Sequence, residues 1–211
     1  MTRLHIFDMD GTLMHGSSAN QEMAREMGLV DKFQALDLDF GAGRIDPHEY
    51  ARQAYGMWST LTERQVATAF AGAPWLAGIR EVWAEIAARG EYCAVVSLSP
   101  SFFVSRLRAW GAHEARASAF PDVPFPPDAV LNPDGILVPE SKVTIAQELC
   151  LRFGVERSDC VAYGDSMSDA LLFGAVPVSV AVNGDHHVSA LATHRYSGQD
   201  LREAYALVSD G

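Results

Sequence analysis

Two carboxylates, Asp8 and Asp10, stand two residues apart, directly after the apolar run 4–7 and before a Gly11-Thr12 turn. Side chains at positions i and i+2 of an ideal strand point to the same face. Such a pair can hold a divalent cation, attack with one carboxylate oxygen and transfer a proton with the other carboxyl group. Aspartates also close strands as ordinary turn residues, so this segment alone leaves both interpretations open.

A serine, Ser97, lies at the end of a second apolar run, as Asp8 does after the first. Ser97 comes at the end of a predicted strand, 92–97, and Ser99-Pro100 then begins a helix. Open α/β sheets bind ligands at the carboxyl ends of their strands, and helix N-termini present free N–H groups to anions. We therefore expect Ser97 to donate a hydrogen bond to a phosphate oxygen, and Ser99 to be the N-cap of the helix.

Lys142 lies at the start of a predicted helix, 141–153. The chain contains only two lysines, Lys32 and Lys142, beside fourteen arginines. A lysine ammonium is a compact point charge that suits a phosphoryl oxygen, whereas an arginine guanidinium is a planar fork. Lys142 is therefore a candidate phosphate ligand, although a single lysine is more often a solvated surface residue.

Two further carboxylates follow the predicted strand 160–163. A glycine turn carries Asp165, and Asp169 lies one helical turn later. Asp165 can supply an oxygen ligand to Mg²⁺, with Asp169 supporting the site from behind. The alternative is that both acids only cap the short helix that ends near Gly174.

Strand-like and helix-like segments alternate through most of the chain. This pattern predicts an α/β fold, a Rossmann-like parallel sheet flanked by helices. The strands are expected at 4–8, 92–97, 160–163 and 178–182. Helices are expected between them and at 199–208.

Two regions interrupt the alternation. From Met14 to about Trp75 the signals are helical only, and they include an Asp46-Pro47 helix start and a capping box from Thr62 to Gln65. We therefore predict a catalytic core of residues 1–14 and 76–211, with a small helical cap, 15–75, inserted after the first strand as a candidate lid. The other region, 121–139, is rich in proline, and its segment 132–135 predicts a β-hairpin.

In chain order the motifs are strand–Asp-x-Asp-Gly-Thr, strand–Ser, helix–Lys and strand–Gly-Asp-Ser-x-x-Asp. This combination resembles the haloacid dehalogenase-like hydrolase superfamily, and the resemblance covers nearly the whole chain. Two features, the helical insertion after the first motif and the Val-Val-Ser that leads to Ser97, are similar to the phosphoserine phosphatase-type branch, whose C1 cap follows the first strand. The segment 132–135 is similar to the flap region of that branch.

The resemblance implies a Mg²⁺-dependent phosphatase that works through an aspartyl-phosphate. Asp8 would be the nucleophile. Asp10 would protonate the leaving alcohol and then act as base on the hydrolytic water. The dehalogenases that name the superfamily do not use an acid at this position, so Asp10 argues against their chemistry. Mg²⁺ would be held by an Asp8 oxygen, the Asp10 backbone carbonyl and Asp165.

The remaining motif residues would surround the phosphoryl group with charge. Ser97 and Lys142 would complete the clamp, because phosphoryl transfer is largely positioning plus electrostatics. Asp169 would orient Lys142 or the metal-bound waters.

The substrate expectation rests on departures from the branch's pattern. Phosphoserine phosphatases carry a glutamate shortly after the first motif for the substrate ammonium, and a cap arginine for its carboxylate. Here Ser17 and Ser18 stand where the glutamate falls, and Ala54 takes the place of the arginine, with Arg44 and Arg52 as the alternatives. A pocket lined by Ser17, Ser18, Tyr50, Tyr55 and Trp58 suits a neutral, hydroxylated or ring-bearing ester, because an unpaired ammonium is costly to bury. The expected substrate contacts are Thr12, Ser17, Ser18, Tyr50, Trp58, Ser97, Leu98, Lys142 and Asn183.

The composition is that of an ordinary globular chain, with 211 residues, 48% hydrophobic and 20% charged. The net charge of −11 argues against non-specific nucleic-acid binding, because no basic run could replace phosphate counterions. No apolar stretch reaches the roughly 18–20 residues that cross a bilayer, and a strand begins too early for a secretory signal. We therefore expect a cytoplasmic monomer or homodimer acting on a small-molecule phosphate ester, with its three cysteines reduced and no metal site at His186-His187.

Three functions remain open on these grounds. The first is hydrolysis of a small-metabolite phosphomonoester. The second is a phosphotransferase or mutase, in which another alcohol rather than water accepts the phosphoryl group. The third, a non-catalytic phosphate-binding module, is the least favoured, because every polar group needed for turnover is present.

Overall fold

The computed structural model describes residues 2–209. They form a six-stranded, wholly parallel sheet in the order β3-β2-β1-β4-β5-β6. The strands are β1 (Leu4–Phe7), β2 (Tyr92–Pro100), β3 (Glu114–Ser118), β4 (Cys160–Gly164), β5 (Val178–Val182) and β6 (His194–Tyr196). β1 lies between β2 and β4, so the residues that follow these three strands meet at one edge of the sheet. The predicted Rossmann-like α/β fold is confirmed.

The helices flank the sheet and fill the predicted insertion. They are α1 (Ala19–Met27), α2 (Val30–Gly41), α3 (Pro47–Met57), α4 (Glu63–Gly72), α5 (Ile79–Ala88), α6 (Ser101–Val104), α7 (Pro139–Phe153), α8 (Ala170–Phe173), α9 (His186–Leu191) and α10 (Leu201–Ser209). Helices α1–α4 all lie between β1 and α5, as the sequence predicts, although α2 itself was not predicted. The limits of the cap as a domain, 15–75, stay a prediction. None of these helices is long and apolar enough to span a membrane.

Polar side chains begin three of the cap helices. The Ser18 hydroxyl caps α1, the Asp46 carboxylate caps α3 ahead of Pro47, and Thr62 with Gln65 forms the predicted capping box of α4. Each cap satisfies backbone N–H groups that have no partner inside the helix, which is typically worth about 1 kcal/mol. The starts of these three helices are therefore determined locally.

Aromatic packing closes the cap over the sheet edge. Trp58 is completely buried and stacks on Phe33 with 5.4 Å between ring centroids. Trp58 also makes edge-to-face contacts with Phe120 at 5.7 Å and Phe102 at 5.9 Å between ring centroids, both outside the insertion. Trp58 therefore joins the cap to the core by burial of aromatic surface.

The central strand β1 is buried on both faces, as expected inside a parallel sheet. On one face of the sheet, Leu4 and Ile6 belong to a buried apolar layer that also contains Leu149 of α7. Phe7 faces the opposite layer, where it stacks on Tyr163 at 4.2 Å between centroids. Packing of both apolar layers against β1 fixes the position of its carboxyl end, which Asp8 follows.

Three predictions about the regular structure need correction. Ser99 is not an N-cap, because β2 continues to Pro100 and the helix starts at Ser101. Segment 132–135 is not a hairpin but a single 3-10 turn, in which the Asn132 side chain accepts a hydrogen bond from the Asp134 N–H. Prolines in 121–139 remove the N–H donors that a hairpin needs. Strands β3 and β6 were not predicted, because both are short and rich in polar residues.

A buried histidine within β1, His5, makes the stability of the fold depend on pH. The His5 ring lies 3.0 Å from the Tyr163 hydroxyl and 3.1 Å from the Glu91 carboxylate. Burial lowers the pKa of His5 from 6.5 to about 4, against the opposing effect of Glu91. Unfolded chains therefore take up this proton at a higher pH than the folded protein does, so stability is lost as the pH falls below about 6.5.

We expect the free energy of unfolding to fall by about 2 kcal/mol between pH 7 and pH 5 through His5 alone. Urea unfolding of the protein at the two pH values measures the difference. His5→Gln should remove most of it, whereas His187→Gln, at an exposed position, should leave it unchanged. An equal pH dependence in the His5 variant would show that other groups are responsible.

Candidate active site

The predicted chemical residues meet at the carboxyl ends of the central strands. Asp8 and Asp10 follow β1, Asp165 follows β4, and Lys142 reaches the same edge from the first turn of α7. One oxygen each of Asp8, Asp165 and Asp169 lies within 4.8 Å of the others. The sequence prediction that these groups converge is supported by this geometry.

Asp8 is buried beside the positive charge of Lys142. Its Oδ1 accepts the Met9 N–H at 2.8 Å, and its Oδ2 lies 3.2 Å from the Lys142 ammonium. Burial raises the pKa of Asp8 well above its usual range, and Lys142 opposes that shift. Further positive charge near Asp8 would favour its ionised form.

Both oxygens of Asp10 accept hydrogen bonds. The Ala19 N–H, at the start of α1, donates to Oδ1 at 2.8 Å, and the Ser99 hydroxyl donates to Oδ2. Burial raises the pKa of Asp10, and these hydrogen bonds act in the opposite direction. Asp10 therefore retains a proton at higher pH than an exposed aspartate does, which suits a general acid.

Lys142 is 1% exposed and remains charged. Burial by itself lowers the pKa of this ammonium, but the carboxylates of Asp8 and Asp169 outweigh burial and raise it. Its Nζ donates to Asp169 Oδ1 at 2.6 Å and to the Ser168 hydroxyl at 3.2 Å. The ammonium is therefore fixed in position before any ligand binds.

Asp169 is completely buried and its oxygens are already bonded. Oδ1 accepts from Lys142, while Oδ2 accepts the N–H groups of Asp165 at 3.1 Å and Ser166 at 3.4 Å. These contacts agree with the predicted role in orienting Lys142, and they also shape the turn that carries Asp165.

Asp165 packs against the turn of the first motif. The Thr12 hydroxyl donates to Asp165 Oδ1 at 3.0 Å. Gly11 has φ +73°, and a Cβ atom there would lie 2.1 Å from Asp165 Oδ2, so a side chain would strain the backbone and displace the Asp165 carboxylate. Burial raises the pKa of Asp165 to about 7, and the charge of Asp169 adds to the shift. Thr12, predicted to contact the substrate, here holds Asp165.

The acidic cluster fits a hard divalent cation. Asp8 and Asp165 line the same cavity, and carboxylate oxygens are the ligands that Mg²⁺ takes. Asp169 is not among the residues that line this cavity, because its oxygens face Lys142 and the turn. Several buried carboxyl groups face one ammonium here, so a cation would lower their mutual repulsion.

Ser97 lies behind the surface of the site. It is completely buried, and its Oγ accepts the Ser99 N–H at 3.1 Å. The neighbouring Leu98 lines the site. The predicted contact between Ser97 and a phosphate oxygen stays a prediction.

Two adjoining cavities lie between the sheet edge and the cap. The acid pocket, of about 390 Å³, contains Asp8, Asp165 and Lys142. The cap chamber, of about 210 Å³, lies under helices α1–α3. The two share four lining residues, Asp10, Ser18, Phe40 and Leu98. Asp10 therefore lies at the junction of the acid pocket and the cap chamber.

The predicted cap residues divide between these cavities. Ser18 lines both, Ser17 lines the acid pocket, and Tyr50 and Trp58 line the cap chamber. Tyr55 does not line either cavity, because its hydroxyl donates to the Ala129 carbonyl at 2.9 Å and its ring packs on aromatic neighbours.

Asn183, predicted to approach the site, is engaged elsewhere. Its Nδ2 donates to the Gly198 carbonyl and its Oδ1 accepts the Gly198 N–H, both at 2.9 Å. The residue has φ +53° at the end of β5. These bonds fix a loop behind the site, and Asn183 lines neither cavity.

Three polar residues that the sequence did not indicate as site residues also line the cap chamber: Ser99, Asn20 and Asp37. Ser99 could have been found, because it is two residues from Ser97 at the end of a strand. Asp37 could not, because it lies on α2, a helix without a clear sequence signal.

Comparison with known proteins now assigns the family. The family model of haloacid dehalogenase-like hydrolases matches residues 6–173, which include all four motifs. The chain belongs to this family. Phosphoserine phosphatase of Idiomarina loihiensis is 26% identical over 203 residues, covering 95% of this chain and 90% of the relative. That of Archaeoglobus fulgidus is 23% identical over 199 residues, and the match covers 94% of this chain but 58% of the relative.

Solved structures show the same fold at low sequence identity. A substrate-bound phosphoserine phosphatase has a TM-score of 0.82 at 22% identity, with 99% of each chain covered. A phospho-aspartyl intermediate analogue of phosphoserine phosphatase has a TM-score of 0.81 at 23% identity, again with 99% of each chain covered. This haloacid dehalogenase-like hydrolase is therefore a phosphatase of the phosphoserine phosphatase-like branch, a phosphoric monoester hydrolase.

Proposed function

We propose that this haloacid dehalogenase-like hydrolase is a Mg²⁺-dependent phosphatase of small metabolites, with Asp8 as the residue that becomes phosphorylated. One observation carries the proposal: the Lys142 ammonium links Asp8 at 3.2 Å to Asp169 at 2.6 Å, in a pocket that also presents Asp10 and Asp165. A nucleophile, a proton donor and fixed positive charge thus face one cavity, which is what phosphoryl transfer requires.

In the first step an Asp8 oxygen attacks phosphorus, and the bond from phosphorus to the ester oxygen breaks. Asp10 gives its proton to that oxygen, and the alcohol leaves through the cap side of the cavity. In the second step Asp10 takes a proton from water, which attacks the same phosphorus and releases phosphate and Asp8. Lys142 balances the charge that remains on the phosphoryl oxygens.

Asp8 and Asp165, with the Asp10 backbone carbonyl, would hold Mg²⁺. When bound, the ion supplies positive charge that keeps Asp8 ionised and screens the incoming phosphate dianion. The test is hydrolysis of p-nitrophenyl phosphate by purified protein. We expect turnover with Mg²⁺ and a loss of about a hundredfold or more after EDTA treatment, reversed by added Mg²⁺. Equal rates with and without the metal would contradict the assignment.

The same assay separates hydrolysis from the alternatives. Sugar or polyol acceptors added to the reaction should leave phosphate release unchanged, since water is the proposed acceptor. Transfer of the phosphoryl group to these alcohols would instead indicate a phosphotransferase. Binding of phosphate without any turnover would indicate a non-catalytic module.

Phosphoserine is not the proposed substrate. Ser17, at the position of the ammonium-binding glutamate, donates its hydroxyl to Glu22, which pairs with Arg25. Ala54, at the position of the carboxylate-binding arginine, lines the cap chamber. Among residues 2–209 no lysine, arginine or histidine lines the chamber, so a substrate carboxylate would be buried there without a charged partner, which is costly.

We expect at least one sugar, polyol or secondary-metabolite phosphate to exceed L-phosphoserine tenfold or more in kcat/KM, about 1.4 kcal/mol of transition-state preference. A panel of such esters, compared under identical Mg²⁺ concentrations, measures the ratio. A tenfold preference for phosphoserine over every other ester would contradict this view of the cap.

A further inference from the structure

The cap chamber contains a chain of polar side chains contributed by three different helices. Asn20 of α1 donates through Nδ2 to the Tyr50 hydroxyl of α3 at 3.0 Å. The Tyr50 hydroxyl in turn donates to Oδ1 of Asp37, on α2, at 2.7 Å. All three residues line the chamber. Helices that share a hydrogen-bonded chain hold its polar atoms in fixed positions.

The atoms left for a ligand are mainly acceptors. Tyr50 has used its only proton on Asp37. Asn20 Oδ1 is buried and has no hydrogen-bond partner within the described range, 2–209. Oδ2 of Asp37 has Gln21 Nε2 as its hydrogen-bond partner, at 3.5 Å, the outer limit of a hydrogen bond. An unpaired buried acceptor costs free energy, so a ligand that donates hydrogen bonds here would remove a penalty.

The chamber is also negatively charged. No lysine, arginine or histidine among residues 2–209 lines it, and Asp37 forms no ion pair in that range. Arg25 of α1, Arg52 of α3 and Arg44 of the segment between α2 and α3 pair with acids that do not line the chamber, Glu22, Glu49 and Asp39 respectively. The charge of Asp37 contributes to the raised pKa of both Tyr50 and Asp10. A cation in the chamber would be attracted and a carboxylate repelled.

The remaining walls suit a short carbon skeleton. They are formed by the apolar side chains of Phe40, Ala54, Trp58, Phe120, Ile136 and Leu137. The buried Trp58 Nε1 has no hydrogen-bond partner among the described residues, so it offers one donor to a hydroxyl oxygen. A volume of about 210 Å³ limits the occupant to a small molecule.

We infer that the alcohol half of the substrate carries a cationic amine and no carboxylate: the ester is an amino-alcohol or amino-sugar phosphate whose ammonium binds Asp37 and Asn20. The inference rests on the proposed function, because the phosphoryl group must lie in the acid pocket for the alcohol to enter the chamber past Asp10. The sequence alone led us to expect a neutral ester, because it placed no acidic side chain of the protein in the cap pocket. The position of Asp37 changes that expectation. Asp37 supplies the partner that an ammonium needs.

Two matched pairs of esters test the inference, because each pair differs only in an amine or a hydroxyl group, and a comparison with L-phosphoserine tests the effect of an added carboxylate. Glucosamine 6-phosphate is compared with glucose 6-phosphate, and O-phosphoethanolamine with 2-hydroxyethyl phosphate and with L-phosphoserine. We expect the amine ester to exceed its hydroxyl counterpart tenfold or more in kcat/KM in at least one of the first two pairs. Phosphoethanolamine should also exceed phosphoserine. Equal rates, or faster hydrolysis of the hydroxyl compounds in both pairs, would overturn the inference.

The Asp37→Asn variant assigns the preference to this residue. It should lower the amine-to-hydroxyl ratio at least tenfold. The control Asp39→Asn, on the same helix but paired with Arg44, should leave the ratio unchanged. An unchanged ratio in the Asp37 variant would overturn the inference. If that variant does not fold, Asn20→Ala removes the other acceptor and should lower the ratio in the same direction.

Product inhibition gives a readout that does not depend on turnover of the amine esters themselves. Glucosamine should inhibit hydrolysis of p-nitrophenyl phosphate more strongly than glucose does, and this difference should be smaller in Asp37→Asn. Wild-type hydrolysis of p-nitrophenyl phosphate with Mg²⁺ tests the proposed function separately. If that reaction fails, the proposed function is wrong; if it proceeds without any amine preference in esters or inhibitors, only the present inference is wrong.

Discussion

Asp8→Asn is expected to reduce kcat for every phosphate ester to less than about one per cent of the wild-type value, because the amide cannot form the covalent intermediate. The loss exceeds about 2.7 kcal/mol of transition-state stabilisation. Steady-state kinetics with p-nitrophenyl phosphate measure it. The fold should persist, since asparagine has the size of aspartate and replacing Asp8 removes one of several buried carboxylates that repel one another.

The matched control is Asp134→Asn, at an exposed position outside the acid pocket, which should retain full activity. Beryllium fluoride provides an independent readout, because it should form an acyl-phosphate mimic on Asp8 that is visible in a crystal structure. Retention of more than one per cent of the rate, or an adduct on another carboxylate, would remove Asp8 from the role of nucleophile.

Lys142→Ala and Lys142→Arg are both expected to lower kcat/KM by about a hundredfold or more, which corresponds to about 2.7 kcal/mol. Alanine leaves Asp8 and Asp169 without their shared positive charge. Arginine keeps the charge, but a planar guanidinium is larger than an ammonium, and the site is 1% exposed, so it cannot take the same position. The arginine variant should therefore not restore what alanine loses.

Lys32, the other lysine of the chain, supplies the matched control. It is exposed on α2, and both Lys32→Ala and Lys32→Arg should keep the wild-type kcat/KM. Circular dichroism of all four variants separates loss of catalysis from loss of fold, because removing one partner of a buried ion pair can cost roughly 3–5 kcal/mol. Near-normal activity of a folded Lys142→Arg would show that a point charge at this position is not required.

The convergence of Asp8, Asp10, Asp165 and Lys142 could be predicted from the sequence for a simple reason. Each residue stands at a strand end or a helix start, and a parallel sheet brings such positions to one edge. The helical cap could also be predicted, because capping residues such as Asp46 and Thr62 act within a few residues of the helix that they begin.

Several hydrogen bonds that the sequence did not indicate join residues distant along the chain. Serine is a common N-cap residue, yet the Ser99 hydroxyl donates a hydrogen bond to Asp10, 89 residues away. Thr12 stands in a motif expected to contact the substrate, yet it bonds to Asp165. Asn183 has the position of a site residue, but its amide groups are taken by Gly198. Local sequence cannot indicate which of several competing acceptors a hydroxyl or amide will reach.

The sequence by itself determined the chemistry of this protein: the residue types of its motifs, their order along an alternating α/β chain, and hence a phosphatase of the haloacid dehalogenase-like family. Only the tertiary structure decided which polar side chains line the cap chamber. Asp37, Asn20 and Tyr50 come from three helices, and they meet because the aromatic contacts of Trp58 hold the cap over the sheet. The positions of the catalytic groups can be predicted because they lie at strand ends. The lining of the cap chamber depends on how helices pack against one another, and the hydrophobic pattern of each helix does not determine that packing.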